Sequence, residues 1–251
     1  MNTFAEYILN EKDLISKIEI IYFLAPKLYI KIDKSIIFKT EIARMFLKYT
    51  KAKLDNNLVL TACLLCNCKK VDNAQKLGKV ETYAIEGAEH LKKLGFDERF
   101  CRICEGVNRY SGISPREPES DILELADQFG AMLMDRPERV GFAPDEALVL
   151  LEHRNLKSQY NRYLEIFRKF VEDMDNVDVQ GIVNSTVFAR LQKLVRESKD
   201  VPDFVRKLAV SYSANVDEKI NEFTENKRNL ENVAMFSSET EAKILNKQLN
   251  Y

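Results

Sequence analysis

The feature that most narrows the fold is a helical spacing of apolar residues that recurs along the chain. In ESDILELADQFGAML, Ile122, Ala126, Phe129 and Leu133 fall at three- and four-residue steps, the interval that lines one face of an α-helix. TEIARMFLKYT does the same with Ile42, Met45, Phe46 and Tyr49, and APDEALVLLE places Pro144 in the first turn of another helix, where its missing N–H costs nothing. NSTVFARLQKLVRES follows the same rule, as does a longer stretch from Pro202 in which Phe204, Leu208, Tyr212, Val216, Ile220 and Phe223 recur. That last pattern is short of four clean heptads, which favours an amphipathic helix packed on its own chain over a dimerising coiled coil. Ser238, with Glu241 three residues later, has the form of a capping box for a final helix. Only KLYIKI hints at the period of two that marks a strand, and no internal repeat, low-complexity tract or glycine-rich phosphate loop is present. The expectation is an all-α fold.

Glycine and proline punctuate the first part of the chain, whereas after Gly181 there is no glycine and Pro202 is the only proline. The polar run EDMDNVDVQG, Glu172 to Gly181, reads as a linker. The expected organisation is a helical or irregular segment over 1–35, a helical domain over 36–175 and a C-terminal helical region over 176–251. With 38 Lys and Arg against 39 Asp and Glu, the formal charge is -1, and no overall field draws the chain to nucleic acid or anionic lipid. The apolar run IEIIYFLAPKLYIKI is interrupted by Glu19, Pro26 and Lys27 and falls short of the roughly 20 residues of a membrane span. MNTFAEYILNEKD is acidic where a signal peptide is basic, so a cytoplasmic protein is expected. Cys63, Cys66, Cys68, Cys101 and Cys104 form two tight groups of odd total, which argues against structural disulfides in that setting. His90 and His153 are the only histidines, too few for a site that needs three or four imidazoles. Both lie beside charged neighbours, which predicts exposed positions without catalytic roles.

Asp127 is the acidic residue that calls for a partner. Leu123 lies one turn before it, and Gly130 and Ala131 one turn after, so the carboxylate is flanked by apolar or small residues, where burial is costly unless the charge is paired. One reading pairs it at a helix edge with Arg109 or Arg136. Another gathers Arg109, Arg136 and Arg139 about it to hold a phosphate bidentately.

The order of four segments, LLCNCKK, ETYAIEGAEHLKKLGF, CEGVNRYSG and ESDILELADQFGAMLMDRPERVGFAPDEAL, resembles that of the HD-domain phosphohydrolases, most closely their HD-GYP branch. In that family the first segment reads Leu-Leu-His-Asp-Ile-Gly-Lys, the second carries a histidine four residues before a Gly-Ala pair, and the third reads His-His-Glu-Arg. The fourth has an Ala-Asp pair, a phenylalanine, an Asp-Arg-Pro run and a helix opening Pro-Glu-Glu-Ala. Ala126-Asp127, Phe129, Asp135-Arg136-Pro137 and Pro144 to Ala147 match that fourth segment, and the likeness covers roughly residues 36 to 155.

The resemblance implies an HD-type helical bundle with an additional C-terminal helical region. It also implies a site whose metal ligands have been lost. The family's His-Asp pair falls on Cys66 and Asn67, the next histidine on Tyr83, the histidine pair on Gly106 and Val107, and the glutamate on Asn108. Asp127 alone keeps the family residue at a metal position, while Lys70, Arg109 and Arg136 match positions near substrate phosphate. The glycine-tyrosine-proline loop is absent, since SGISPREPES is shorter and carries Pro115. An HD site uses imidazoles and carboxylates to hold one or two divalent ions that turn water into hydroxide, and one carboxylate cannot hold them.

The implied protein is therefore a catalytically deficient module of the kind used in bacterial signalling. It would bind a nucleotide or cyclic dinucleotide through Lys70, Asn108, Arg109, Asp127, Arg136 and Arg139, or meet a protein partner or a second copy through its C-terminal helices. Two alternatives stay open: a metal-dependent phosphodiesterase with a rearranged site using Asp127, Glu105 or Asp121 and thiolates, and a structural zinc held by Cys63, Cys66, Cys101 and Cys104, whose i, i+3 spacing projects two thiols from one side of each helix. Free cysteines that simply fill the core are the plainer reading of those thiols.

Overall fold

The structure is a computed structural model, and it describes residues 3–50, 52–72, 74–156, 159–176 and 186–212. The expected all-α class is what it shows: among the described residues there are eleven α-helices and no strand. They are α1 (Phe4–Asn10), α2 (Leu14–Leu28), α3 (Lys34–Thr50), α4 (Asn56–Leu65), α5 (Tyr83–Lys93), α6 (Glu98–Glu105), α7 (Pro118–Leu133), α8 (Pro144–Leu150), α9 (Leu164–Asn176), α10 (Val187–Glu197) and α11 (Val201–Tyr212). A π-helical turn, Leu151–Asn155, continues α8.

Local chemistry fixes the helix starts. Asp13, Asp55 and Asp97 cap α2, α4 and α6 by accepting from first-turn amides, and Thr3 with Glu6 closes a capping box on α1. Pro118 opens α7, followed by Glu119 and Asp121 in its first turn, where negative charge meets the positive end of the helix. KLYIKI is not a strand. Helix α2 runs through Pro26 to Leu28 and is stopped by Tyr29, whose φ of 51° is left-handed, with the Ile30 amide donating back to the Ala25 carbonyl. Nor does the chain become irregular at Glu172, because α9 continues to Asn176; residues 177–181 of the expected linker lie outside the described residues, as do Val216, Ile220, Phe223 and the Ser238–Glu241 box.

Helix α3 lies along α7, and both pack against α4. The apolar face read from the α7 sequence is the buried one: Ile122, Ala126, Phe129 and Leu133 are all interior. Phe46 of α3, Phe129 of α7, Phe167 and Phe170 of α9 and Phe188 of α10 form an aromatic cluster with edge-on or tilted neighbours 5.0 to 5.7 Å apart, the spacing at which ring quadrupoles attract. Residues 186–212 thus join the same core. Gln192 donates to the Leu133 and Phe142 carbonyls, and α11 rests on α2. No helix among the described residues is long and apolar enough to cross a membrane.

Candidate functional site

Asp127 sits on the face of α7 that looks toward α3 and the end of α4, and it is buried. Its Oδ1 accepts from Lys39 Nζ at 2.9 Å and from Asn67 Nδ2 at 2.8 Å, and Lys70 Nζ stands 3.5 Å from Oδ2. Burial alone would raise this carboxyl's pKa, but the two ammonium groups and the hydrogen bonds outweigh it and hold the group well below the usual carboxylate range. Lys39 is itself interior, so burial pulls its pKa down while Asp127 pushes it up. At 2.9 Å the two buried groups lie at charge-assisted hydrogen-bond distance.

Gly130 makes the Lys39 approach possible. A Cβ at this position would lie 2.8 Å from Lys39 Cγ and 3.1 Å from Ile42 Cδ1, so the lysine stem crosses α7 where no side chain stands.

Asn67, Lys70, Tyr83 and Asn108 complete the centre. Lys70 lies 5.0 Å above the Tyr83 ring and is the member that reaches toward solvent, with 31% of its side chain exposed. Tyr83 is buried and interacts with the Asn108 side chain, and its hydroxyl pKa is raised first by burial and then by Asp127. Asn67 Oδ1 is buried with no hydrogen-bond partner among the described residues. Cys66 is the C-cap residue of α4 and lies against Asn67, 3.6 Å from Nδ2.

Four of the six residues read from the sequence as ligand-binding are therefore placed in two neighbouring settings. Lys70, Asn108 and Asp127 share the centre, whereas Arg109 turns from it to pair with Glu124 through two contacts of 2.7 Å. Asp127 pairs with lysines and not with Arg109 or Arg136. Arg139 is spent on the end of α7 and the turn after it: its guanidinium donates to the carbonyls of Ala131 and Met132 in the last helical turn and to those of Met134 and Val140 beyond it. Arg136 is on the exposed turn that follows, joined to Arg139 by backbone hydrogen bonds. Gly106 caps α6 and Val107 is interior; a Cβ on Gly106 would lie 2.4 Å from Ser120 Oγ, so close packing occupies that position. Asp121 is engaged by Arg116 and Arg162. His153 is exposed as expected, but His90 is half-buried, its Nε2 2.7 Å from the Leu28 carbonyl, and burial lowers its pKa.

The residues present do not fit a divalent metal. Asn67 supplies a neutral amide that faces Asp127 with its NH2 group, and the one carboxylate already meets two ammonium groups. An added divalent cation would sit within contact distance of both, a repulsion that the interior screens poorly. Among the described residues no group of three or more His, Cys, Asp and Glu side chains is arranged to hold a metal ion. The five thiols are buried, and burial raises the pKa of each, to about 12 for Cys68 and about 11 for Cys101.

Sequence reasoning missed Lys39, Glu124, Arg116 and Arg162. The signal lay in α7, where Asp121, Glu124, Asp127 and Gly130 follow one another at three-residue steps: three carboxylates and a gap on a buried helix demand cations from elsewhere. Comparison of the chain with known protein families, with curated proteins and with solved structures finds no match.

Proposed function

We propose that this chain is a catalytically deficient HD-type module that acts in the cytoplasm by binding a nucleotide or a protein partner. The observation that carries the reading is the state of Asp127, the single carboxylate left at the positions matched to metal ligands. It is neutralised by Lys39 and Lys70 and tied to Asn67. An ammonium at hydrogen-bonding distance gives the carboxylate a counter-ion without giving water a Lewis acid, so the charge balance of a metal site is kept and its nucleophile is lost. Lys70, half-open to solvent over the buried Tyr83 ring, is the group that offers a charge to an incoming phosphate. The cytoplasmic assignment draws on five thiols kept as buried free cysteines.

Elemental analysis of purified protein is the deciding measurement. Less than about a tenth of an equivalent of Mn, Fe or Zn, with no turnover of a chromogenic phosphodiester, is expected. Stoichiometric metal with turnover lost in Asp127→Ala would establish the phosphodiesterase instead, and one zinc per chain with unfolding by a chelator would establish the zinc-thiolate protein. Calorimetric titration with cyclic dinucleotides and guanine nucleotides then separates ligand binding from a purely protein-binding role.

A further inference from the structure

Beside the Asp127 centre a second cluster of charges borders an open cavity of about 500 Å³, within the size range of small-molecule sites. Arg109, Arg116 and Arg162 converge there on Asp121 and Glu124. Asp121 takes Arg116 Nε at 2.9 Å on one oxygen and Arg162 Nε at 2.7 Å on the other. Glu124, fully buried, takes Arg109 through both oxygens and Asn161 Nδ2 at 2.9 Å. Among the described residues, three guanidinium groups thus face two carboxylates, an excess of one positive charge.

The surplus lies toward the cavity. Arg162 is the most exposed of the three, at 36% of its side chain against 22% for Arg109 and 12% for Arg116. Its Nη1 and that of Arg109 have no acceptor among the described residues. The carboxylates already hold the Nε edges, so the forks are fixed before any ligand arrives. Fixed forks with free outer N–H groups suit a tetrahedral or planar oxyanion, because little side-chain freedom remains to be lost on binding. Ser114 and the exposed Tyr160 border the same opening and supply a hydroxyl and a ring beyond the charges.

We propose that this cavity is a binding site for the phosphate group of a small phosphorylated molecule, with Arg162 and Arg109 as the contacting residues and Asp121 and Glu124 as the groups that position them. The site stands on its own charges and geometry and does not depend on the HD reading; metal content or catalytic activity at Asp127 would leave it untouched.

Titration of the full chain with pyrophosphate and with guanosine monophosphate, at ionic strength held constant with chloride, tests it through the Nε–Hε resonances of the arginines. Saturable shifts of the Arg109 and Arg162 signals are expected, with affinity reduced roughly tenfold or more in Arg162→Gln, the loss of one charge-assisted contact. Gln159→Glu provides an independent check. Gln159 is exposed and borders the cavity, so the substitution adds a negative charge with little change in shape, and a comparable loss is expected there. Absence of saturable shifts in the wild-type protein, or affinity changed less than twofold in the folded Gln159→Glu variant, overturns the proposal.

Discussion

Replacing Lys39 by methionine removes the nearer of the two charges on Asp127 while keeping a flexible apolar stem beside Gly130. The carboxylate stays buried, and its remaining ionic partner, Lys70, is 3.5 Å away and partly solvated. Removing one partner of a buried ion pair typically costs about 3–5 kcal/mol, since the other charge is left without compensation. The Lys70 contact and the Asn67 hydrogen bond soften this, placing Lys39→Met near the lower bound, at about 3 kcal/mol. Asp127→Leu removes the acceptor of Lys39 and two further donors, and sits at the upper bound, about 5 kcal/mol. The double variant Lys39→Met/Asp127→Leu leaves neither charge. A well-packed apolar replacement of a buried pair is often neutral or stabilising, so its loss is expected within about 2 kcal/mol of wild type, far from the sum of the singles.

Urea denaturation followed by far-ultraviolet circular dichroism at pH 7 measures all three variants, and an unchanged slope confirms that stability alone has moved. The acid limb gives a second reading. The folded pKa of Asp127 lies below its unfolded value of roughly 3.9. Its contribution is therefore present in full above that value and is lost as pH falls toward the folded pKa. The acid-induced loss should shrink in Lys39→Met, which raises the folded pKa. Additive losses in the double variant, or a Lys39→Met cost under about 1 kcal/mol, would refute the ion-pair account.

Lys17, fully buried on α2 beside Asn57 and Thr61, has its pKa lowered to about 8, chiefly by burial; its folded value lies below the unfolded one, so the unfolded chain holds the extra proton and stability should rise from about pH 8 to about pH 10.5, a slope that Lys17→Met abolishes in urea melts. Gly130→Ala forces the Lys39 stem aside and should lose about 1–3 kcal/mol in the same assay, a cost that largely disappears when Lys39 is shortened to alanine. Ellman's reagent at pH 8 should find the thiols slow in the native protein and fully reactive in urea, with Cys101 the first to react; rapid native reaction of Cys66 or Cys104 would contradict their burial.

The helices were legible because their apolar residues repeat at the helical interval and their caps are local, as at Asp55 and Pro118. KLYIKI misled because two apolar residues alternate across a helix end: Leu28 closes α2 and Ile30 folds back onto the core beyond a left-handed Tyr29. Asp127 stood out in sequence because a carboxylate on an apolar helix has few harmless explanations. Its partner did not, since Lys39 lies 88 positions away and IIFKTEIARMF carries no mark of where a lysine stem will cross another helix. Arg109 was noticed for its charge, but which acid it would meet depended on Glu124, one turn from Asp127, and no local pattern distinguishes the two.

The three-residue steps of α7 bear on how its neighbours are held. Each residue advances about 100° around an α-helix, so three residues fall about 60° short of a full turn and Asp121, Glu124 and Asp127 fan across about 120° of the circumference. Their cations arrive from separate quarters: Lys39 from α3, Arg109 and Arg116 from the chain between α6 and α7, and Arg162 from just before α9. Such a spiral works as a rotational stop. Twisting or sliding α7 in its groove would misalign all three carboxylates together, so the helix is clocked in angle and height.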